Sequence, residues 1–379
     1  MQVRVAKDPS EWNAIVDKSP FSVLHHRYEA WAYKDNALPL VIRVGNYRFL
    51  FPLETRELLR SFRLSSSPIY YYATILPEAE EAIDMLPSAL DSTLQFLRKM
   101  RVDYLSTCAP TFLSRKSAIT MNSWFRKHNA SVQVIYVHLI ELGGMTFADV
   151  WKNRFSKHAR NQVRKAGKEG VNVVKINVEK ELGEWMEDIY QCNLSALKRQ
   201  GRIGAYPDSY KEVLRSELLS TKNHLKENFN IYGAVYRGRL IAYMITREYN
   251  GLMHINKAMS HTKFLRKRPN DALIGYLVKE ACNQGFKWFE YGFDRVKWRG
   301  QVPSLYSTLQ EFKFKFGFEE VPVPIFRLGI SCKGSILQSL FAGREFLTVN
   351  SARMPNFVRE LFYSLYAPKH RRFFGFLHA

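Results

Sequence analysis

Cysteine is scarce in this sequence, and long apolar runs are missing. The 379 residues include four cysteines, which are at least 50 positions apart and form no Cys-x-x-Cys pair. This spacing argues against a zinc ribbon and a disulfide framework, and it fits a reducing compartment. No run of about 18 apolar residues is present, so we expect no membrane span. The first residues contain no apolar signal core, so we expect a cytoplasmic protein.

The signatures of several common enzyme classes are also absent. The sequence contains no Gly-x-Ser-x-Gly, no His-Glu-x-x-His and no Walker-type Gly-x-x-x-x-Gly-Lys-Ser/Thr segment. These absences argue against a hydrolase triad, a zinc peptidase and a P-loop nucleotidase. The pair His25-His26 has no further ligands beside it. We therefore predict that the pair lies on a helix surface and that the protein holds no metal.

Acidic residues are few relative to basic ones, and the imbalance is uneven. The formal net charge is +21. Residues 1–150 contain 17 basic and 15 acidic residues, whereas residues 151–330 contain 32 and 18. This distribution favours a polyanionic or phosphate-bearing partner for the second half. A general effect of charge on solubility would explain the same numbers.

The predicted elements follow a similar order in the two halves, with strands, a helix, a strand, a helix and a strand in each. In the first half we predict a helix over 21–34 and a hairpin around Gly45-Asn46. These are followed by a strand over 69–74, a helix over 78–101, a strand over 104–109, a helix over 112–128 and a strand over 132–140. In the second half we predict a helix over 148–168, a strand over 171–178, helices within 180–228 and three antiparallel strands within 231–259. These are followed by a helix from Pro269, a strand over 286–291, a helix over 304–316 and a strand over 318–328. The fold class is therefore α/β, with two units of like topology.

One face of the helix over 148–168 is cationic. At 100° per residue, Lys157, Arg160, Arg164 and Lys168 share a side, and Asn161 lies beside them. Guanidinium and ammonium groups in such a row favour phosphate binding. A solvated face of an amphipathic helix has the same pattern, so both interpretations stay open.

A second cationic segment, Lys263-Phe-Leu-Arg-Lys-Arg, stands just before the helix that starts at Pro269. The unpaired amides at a helix N-terminus suit a pyrophosphate, and Arg266, Arg268 and Asn270 are the candidate contacts. The glycines that usually let a backbone wrap a phosphate are absent, and a plain basic loop is the alternative.

Two further segments favour chemistry in a cleft. A strand ends in Phe289-Glu-Tyr-Gly-Phe-Asp, and it delivers Tyr291 and Asp294 to a loop, where Asp294 could orient or deprotonate an amine or cap the next helix. The segment Leu309-Gln-Glu-Phe-Lys-Phe-Lys-Phe-Gly predicts a helix whose buried stripe is Leu309, Phe312 and Phe316. Lys313 on that helix could bind phosphate or stabilise an oxyanion.

Three of these segments together resemble the FemABX-like branch of the GNAT acyltransferase superfamily. The stretch Ser156-Lys-His-Ala-Arg-Asn-Gln-Val-Arg-Lys-Ala-Gly-Lys-Glu-Gly-Val is similar to a signature of that branch. Phe312-Lys-Phe-Lys-Phe-Gly is similar to its Phe-Lys-x-x-Phe-Gly motif, and Asn270-Asp-Ala-Leu-Ile followed by Gly285-Phe-Lys-Trp-Phe-Glu-Tyr-Gly to its helix-to-strand segment. The first half resembles the family only in its general organisation.

The resemblance implies tandem GNAT-like domains, each with a mixed, largely antiparallel sheet flanked by helices. We expect domains at 1–145 and 146–328, followed by a basic helical extension over 329–379. The implied activity is transfer of an acyl or aminoacyl group to an amine or hydroxyl, in cell-envelope or glycan-precursor metabolism. Lys313 then corresponds to the motif lysine near the transferred group, and Arg199 to an arginine that family members carry after the second-domain helix.

No tightly bound cofactor is implied, and the co-substrate is acyl-CoA or aminoacyl-tRNA. The phosphate-loop glycines of CoA-using relatives are missing, so the donor stays open. The expected acceptor is a phosphate-bearing small molecule or a lipid-linked compound, and tRNA is a further expected partner. The basic, aromatic C-terminal tail is expected either to contact an anionic membrane at its inner face or to pack on the first domain. The alternatives are a CoA-dependent N-acetyltransferase of a protein or small molecule, and a non-catalytic protein that binds nucleic acid.

Overall fold

A computed structural model describes residues 1–31, 34–58, 62–67, 72–199, 209–294 and 304–340. In these ranges the strands are β1 Gln2–Val5, β2 Ala37–Val44, β3 Tyr47–Leu58, β4 Phe62–Ser66, β5 Leu76–Pro77, β6 Tyr104–Cys108, β7 Ser131–Glu141, β8 Asn172–Ile176, β9 Phe229–Tyr236, β10 Arg239–Tyr249, β11 Leu252–Ser260, β12 Trp288–Asp294 and β13 Glu319–Gly329. The α-helices are α1 Pro9–Lys18, α2 Leu86–Lys99, α3 Arg115–Lys127, α4 Phe147–Asn153, α5 Lys157–Lys168, α6 Val178–Arg199, α7 Tyr210–Leu225, α8 Pro269–Asn283 and α9 Ser304–Lys315.

The strands form one continuous sheet with a nearly symmetric order. Along the sheet they run β1-β2-β3-β4-β6-β13-β7-β12-β11-β10-β9-β8, with β5 beside β3. Pairing is antiparallel except between β4 and β6 and between β11 and β12. The predicted mixed, largely antiparallel sheet with flanking helices is confirmed. The two halves exchange their last strands. β7, the last strand of the first half, pairs with β12 of the second half, and β13, the last strand of the second half, pairs with β6 of the first half.

Helices cover both faces of the second half of the sheet. On one face, α4, α5, α8 and α9 bury apolar side chains that include Ala159, Leu273 and Phe316. On the other face, α6 and α7 pack over β9 and β10 together with α1. In the first half, α2 and α3 pack over β2 and β3. No helix in these described ranges is long and apolar enough to cross a membrane.

The structure confirms most predicted elements and corrects three. In the region predicted as a helix over 21–34, the described residues contain only two 3₁₀ turns, Leu24–His26 and Tyr28–Ala30. Its pair His25-His26 is buried, 7% and 0% exposed, so the predicted surface position is wrong. The single helix predicted over 148–168 is two helices, because Ser156 caps a new helix and accepts a hydrogen bond from the Ala159 amide.

The third correction concerns the helix that carries the motif lysine. The predicted buried stripe of α9 included Leu309, but Leu309 is 39% exposed. Among the described side chains of this segment, Gln310, Lys313 and Phe316 are buried and Phe312 is half-buried. The burial of Phe316 is confirmed, and the rest of the buried stripe is formed by Gln310 and Lys313 instead of Leu309. The strand predicted over 69–74 lies partly outside the described residues, and its described part, residues 72–74, is not a strand. Predictions on the break over 201–207 and on the tail from residue 341 lie outside the described residues.

Candidate functional site: an opening between two parallel strands

The parallel pairing of β11 and β12 stops in the middle of both strands. The strands pair at three positions, the last of which is His254 beside Glu290. Beyond that point β11 stays paired with β10 as far as Ser260, whereas the end of β12 pairs with β7. Among the described residues, the ladder therefore leaves a gap between residues 256–260 of β11 and residues 291–294 of β12, where no pair joins the two strands. We call this gap the strand opening.

The backbone of β11 presents polar groups to the strand opening. Asn256 has no opposite residue on β10, because the register shifts from Thr246–Ile255 to Ile245–Lys257. His261, just past β11, donates its N–H to Ile241 O. Alternate residues of an antiparallel strand direct their N–H and C=O to opposite neighbours. The N–H of Ala258 therefore points away from β10, into the strand opening.

Three polar side chains form a row across the closed end of the opening. Arg247 on β10 lies opposite His254 on β11, and His254 lies beside Glu290 on β12. Residues paired across neighbouring strands project from the same face of a sheet, with Cβ atoms about 5 Å apart. We call Arg247, His254 and Glu290 the polar row. It lies on the sheet face that α6 and α7 cover.

The buried carboxylate of Glu290 connects two other groups of this region. It is 0% exposed, contacts His254 Nδ1 through Oε2, and accepts a hydrogen bond from the Tyr72 hydroxyl through Oε1 at 2.8 Å. Burial and the neighbouring Glu290 raise the pKa of Tyr72 well above its usual value, so this hydroxyl stays a donor. If Nδ1 of His254 carries the proton towards Glu290, the lone pair of the neutral imidazole lies on Nε2.

A neutral histidine holds the arginine of the polar row. His25 Nε2 lies 2.9 Å from Arg247 Nη1, and the guanidinium can only donate. Burial, and then the charge of Arg247, lower the pKa of His25 well below its usual value. His25 therefore stays neutral and accepts the hydrogen bond, so Arg247 is the permanent cation of the pair.

Two of the predicted catalytic residues, Tyr291 and Lys313, lie on the opposite face of the sheet. Tyr291 follows Glu290 and so projects to the other side, where α9 places Lys313, 2% exposed, with its Nζ 5.3 Å from the centre of the Tyr291 ring. Burial raises the pKa of Tyr291. The structure thus brings Lys313 and Tyr291 together. Asp294 ends β12 opposite Tyr136, and its side chain lies outside the described part.

The cationic side of α5 contains both engaged and exposed groups. Arg160 Nη1 donates to the carbonyls of Trp151 and Phe155, at 3.1 and 2.6 Å, and so caps the end of α4. The guanidinium of Arg164 lies 5.4 Å from the centre of the Trp151 ring. Lys157 and Asn161 are exposed. Of the residues predicted to bind phosphate here, two therefore stabilise the corner between α4 and α5.

The second predicted phosphate segment lies at the wide end of the strand opening. Its residues form a 3₁₀ turn, Thr262–Lys267, and Arg266 and Arg268 are exposed. Arg199 donates to Thr262 Oγ1 at 2.9 Å, and Asn270 Nδ2 donates to Ser260 Oγ at 3.3 Å. Both predicted contacts thus converge on the end of β11. Asn270 Oδ1 is buried and has no hydrogen-bond partner among the described residues.

The three motif segments contact one another. Ser156 at the start of α5 donates its N–H to Lys315 O at 2.8 Å, and Lys315 forms an ion pair with Asp271 on α8. Gly317 has φ +81°, and a Cβ there would lie 2.8 Å from Arg154 O. Only glycine fits this contact without displacing the backbone, which gives a physical reason for the final glycine of the Phe-Lys-x-x-Phe-Gly motif.

The sequence analysis missed the polar row. Glu290 belongs to the quoted segment Phe289-Glu-Tyr, but its neighbours Tyr291 and Asp294 were selected instead. Strand alternation could have placed Glu290 and Tyr291 on opposite faces, whereas the pairing with His254 depends on a non-local register. The half-buried position of Lys257 on β11 was not predicted from the sequence either, and burial lowers the pKa of this lysine. Within the described ranges, no three His, Cys, Asp or Glu side chains are placed to hold a metal ion.

Comparison with known proteins shows which family part of the chain resembles. Residues 153–298 match the family described as "Acetyltransferase (GNAT) domain", a range that contains β8–β12, α5–α8 and the polar row. No curated protein sequence matches the chain. Over these residues the second half of the chain is therefore similar to a GNAT domain.

Solved structures extend the likeness to both halves. The crystal structure of FemX matches over 90% of this chain and 99% of its own, with a TM-score of 0.56 and 11% identity. L-PGS from Bacillus licheniformis matches over 89% and 98%, with a TM-score of 0.53 and 13% identity. The C-terminal domain of a putative lysylphosphatidylglycerol synthetase from Agrobacterium fabrum matches over 87% and 95%, with a TM-score of 0.52 and 12% identity. The predicted resemblance to FemABX-like GNAT proteins is confirmed at the level of the fold.

Proposed function

We propose that this protein is an acyltransferase whose donor lies in the strand opening and whose acceptor approaches the polar row. The single observation that carries the proposal is the end of the β11–β12 ladder at the pair His254–Glu290. It combines an unpaired strand edge with an imidazole held by a buried carboxylate. The GNAT domain match supports the reaction class, because GNAT domains use acyl-CoA as co-substrate.

The open edge of β11 suits an extended donor that carries amides. A chain with amide groups can pair with an unpaired strand edge as an added strand does. The pantetheine part of CoA carries two amides, and the Ala258 N–H points into the gap that would receive them. The helix N-terminus at Pro269 and the cations Arg266 and Arg268 then lie at the wide end, where the pyrophosphate would emerge.

His254 acts as the general base in this account. The acceptor nitrogen attacks the carbonyl carbon of the thioester, the C–N bond forms, and His254 Nε2 takes the proton from that nitrogen. The C–S bond then breaks, and the thiolate leaves and takes up a proton. Glu290 orients the imidazole and stabilises its charged form, and Tyr72 holds Glu290, an arrangement that follows the logic of a catalytic triad.

Aminoacyl-tRNA is a second candidate donor, favoured by the basic surface of the second half. Lys157, Lys165 and Lys168 on α5 are exposed cations. The fold is also shared with FemX and with a putative lysylphosphatidylglycerol synthetase. We therefore rank cell-envelope or glycan-precursor metabolism first as the context of the reaction. Binding of charged tRNA, without binding of acetyl-CoA, would favour this donor.

Replacement of His254 tests the proposed base. With acetyl-CoA and a pooled set of amines, we expect His254→Ala to lower kcat by about 10²–10⁴-fold, the range typical of a lost general base, while the Kd for acetyl-CoA stays within twofold. Thiol release measures kcat, and calorimetry measures Kd. Glu290→Gln should lower kcat at least tenfold through the imidazole that it orients.

His158→Ala is the matched control, since this histidine is exposed on α5. It should leave kcat unchanged. Wild-type turnover in His254→Ala, with the protein folded, would remove the base from the mechanism.

A further inference from the structure

A register shift in β11 turns Lys257 to the same face of the sheet as His254. On β10, Lys257 pairs with Ile245, whose side chain packs under α6 and α7. His254 pairs with Arg247, and Asn256, between the two positions, has no partner on β10. Ile245 and Arg247 are two residues apart on one strand, so they and their partners project from the same face. Without the extra residue, positions 254 and 257 would lie on opposite faces. The bulge therefore brings an amine to the face of the polar row.

Lys257 also lies in the interval of β11 where the reacting end of the donor is expected. The proposed donor extends from the N-terminus of α8 past the Ala258 N–H and presents its carbonyl to His254. Lys257 stands between these last two residues. Three strand residues span at most about 10 Å, and a lysine amine sits on a flexible four-carbon stem. The Nζ atom of Lys257 can therefore reach a carbonyl that is held in this interval.

The state of the Lys257 amine suits a nucleophile. Among the described residues Lys257 forms no ion pair, and its side chain is half-buried. Burial lowers its pKa, against the opposite effect of Glu217 on α7. A lowered pKa increases the fraction of neutral amine, which is the nucleophilic form. Lys175 offers a contrast, because it is exposed on β8, the last strand in the sheet order.

We propose that Lys257 is a site of self-acylation, at which an acyl thioester in the strand opening transfers its acyl group to the protein itself. The proposal rests on the acyltransferase function proposed above and adds an acceptor that belongs to the chain. The neutral Nζ attacks the carbonyl carbon, the C–N bond forms and the C–S bond breaks. The nitrogen gives up a proton, and the leaving thiolate takes one up.

The product has a consequence for transfer to other acceptors. An amide at Lys257 is stable, so it does not pass the acyl group on. It adds bulk and removes a positive charge on the face from which the acceptor approaches the polar row. Acylation of Lys257 should therefore slow the transfer of acyl groups to external amines.

Peptide mass spectrometry of the full chain tests the site. With acetyl-CoA and no added amine, we expect Lys257 to be acetylated at least about tenfold faster than Lys175, because the donor is held beside it. Excess CoA should suppress the labelling of Lys257 and leave that of Lys175 unchanged. Acetyl phosphate, which lacks the pantetheine part, should show no such preference. Lys257→Arg, which keeps the charge, should abolish the fast labelling, and Lys175→Arg, the matched control, should retain it.

Preincubation with acetyl-CoA tests the consequence. The initial rate of transfer to pooled amines should fall in proportion to the acetylated fraction of Lys257. The rate of the Lys257→Arg protein should stay constant over the same preincubation. A wild-type rate that stays constant while Lys257 becomes fully acetylated would contradict the inhibition.

The outcomes separate this proposal from the proposed function. If acetyl-CoA binds and pooled amines are acetylated, but Lys257 reacts no faster than Lys175, self-acylation is wrong and the proposed function stands. If acetyl phosphate labels Lys257 just as selectively and CoA gives no protection, the strand opening is not the source, and self-acylation is again wrong. If Lys257 is labelled selectively but no added amine reacts, self-acylation stands and transfer to an external acceptor falls. If acetyl-CoA neither binds nor labels Lys257, both fall.

Discussion

At the scale of single residues, buried histidines organise the junction between the two halves. His26 is 0% exposed, accepts a hydrogen bond from the Val23 N–H at 2.9 Å through Nδ1, and donates from Nε2 to Thr74 O at 3.0 Å. It thereby joins the 3₁₀ turn that carries His25 to the segment that follows Tyr72. Burial lowers the pKa of His26 to about 4, against the weaker opposite effect of these backbone contacts.

The lowered pKa predicts a loss of stability on acidification. The unfolded chain binds a proton at His26 with a pKa near 6.5, and the folded chain only near 4. Between these values the unfolded state holds more protons, so the free energy of unfolding falls as the pH falls. In His26→Gln we expect the slope of that free energy against pH, between 6 and 4.5, to be smaller by about 1.1 kcal/mol per pH unit. Urea unfolding at several pH values measures it.

The control for this slope is His158→Gln, because His158 is exposed and makes no comparable contact. Its slope should equal that of the wild type. An unchanged slope in His26→Gln would mean that His26 is protonated equally in both states.

At the scale of elements, close packing of α5 on α8 fixes the cationic side of the molecule. A Cβ built at Gly275 of α8 would lie 3.0 and 3.1 Å from the two methyl carbons of Val163 on α5. The same construction at Gly167 of α5 meets no atom within 4 Å. Both glycines are helical, so replacement by alanine changes helix propensity alike and packing differently.

Substitutions at Gly167 and Gly275 separate the effect of helix propensity on stability from the effect of packing. Gly167→Ala should raise the free energy of unfolding by about 0.5–1 kcal/mol, because alanine loses less backbone entropy in a helix. Gly275→Ala should gain less than Gly167→Ala, and Gly275→Leu should destabilise the protein by about 1–3 kcal/mol through overpacking against Val163. Chemical unfolding measures all three. A Gly275→Leu protein as stable as the wild type would show that α5 and α8 do not pack closely.

At the scale of the whole molecule, exchanged strands join two similar units. β7 completes the pairing of β12, and β13 completes that of β6, so the sheet is continuous across the predicted boundary at residue 145. A small pocket beside the polar row is lined in the same way, by His25 and Tyr72 from one unit and by Arg247 and His254 from the other. The first unit therefore contributes side chains to the surroundings of His254.

The sequence predicted the elements better than their assembly. Hairpins, amphipathic helices and the α/β class follow from local patterns such as Gly45-Asn46 and the apolar spacing of α2. The insertion of β13 between β6 and β7 depends on contacts about 190 residues apart, which no local pattern encodes. The polar row was missed for the same reason, since Arg247, His254, Glu290 and Tyr72 meet only through sheet register. The burial of Lys313 could not be predicted from the sequence either, because a lysine in a helix normally indicates an exposed face.

Binding of acetyl-CoA to the wild type and to Ala258→Pro tests the central claim most directly. Proline removes the N–H that points into the strand opening and leaves the ladder with β10 intact, so the fold should persist. By calorimetry at one fixed salt concentration, we expect a wild-type Kd between about 1 μM and 1 mM, the range of common substrate affinities, and at least tenfold weaker binding in Ala258→Pro. Ala258→Ser, which keeps the N–H, should bind as the wild type does. Equal affinity in a folded Ala258→Pro protein would contradict a donor paired with β11.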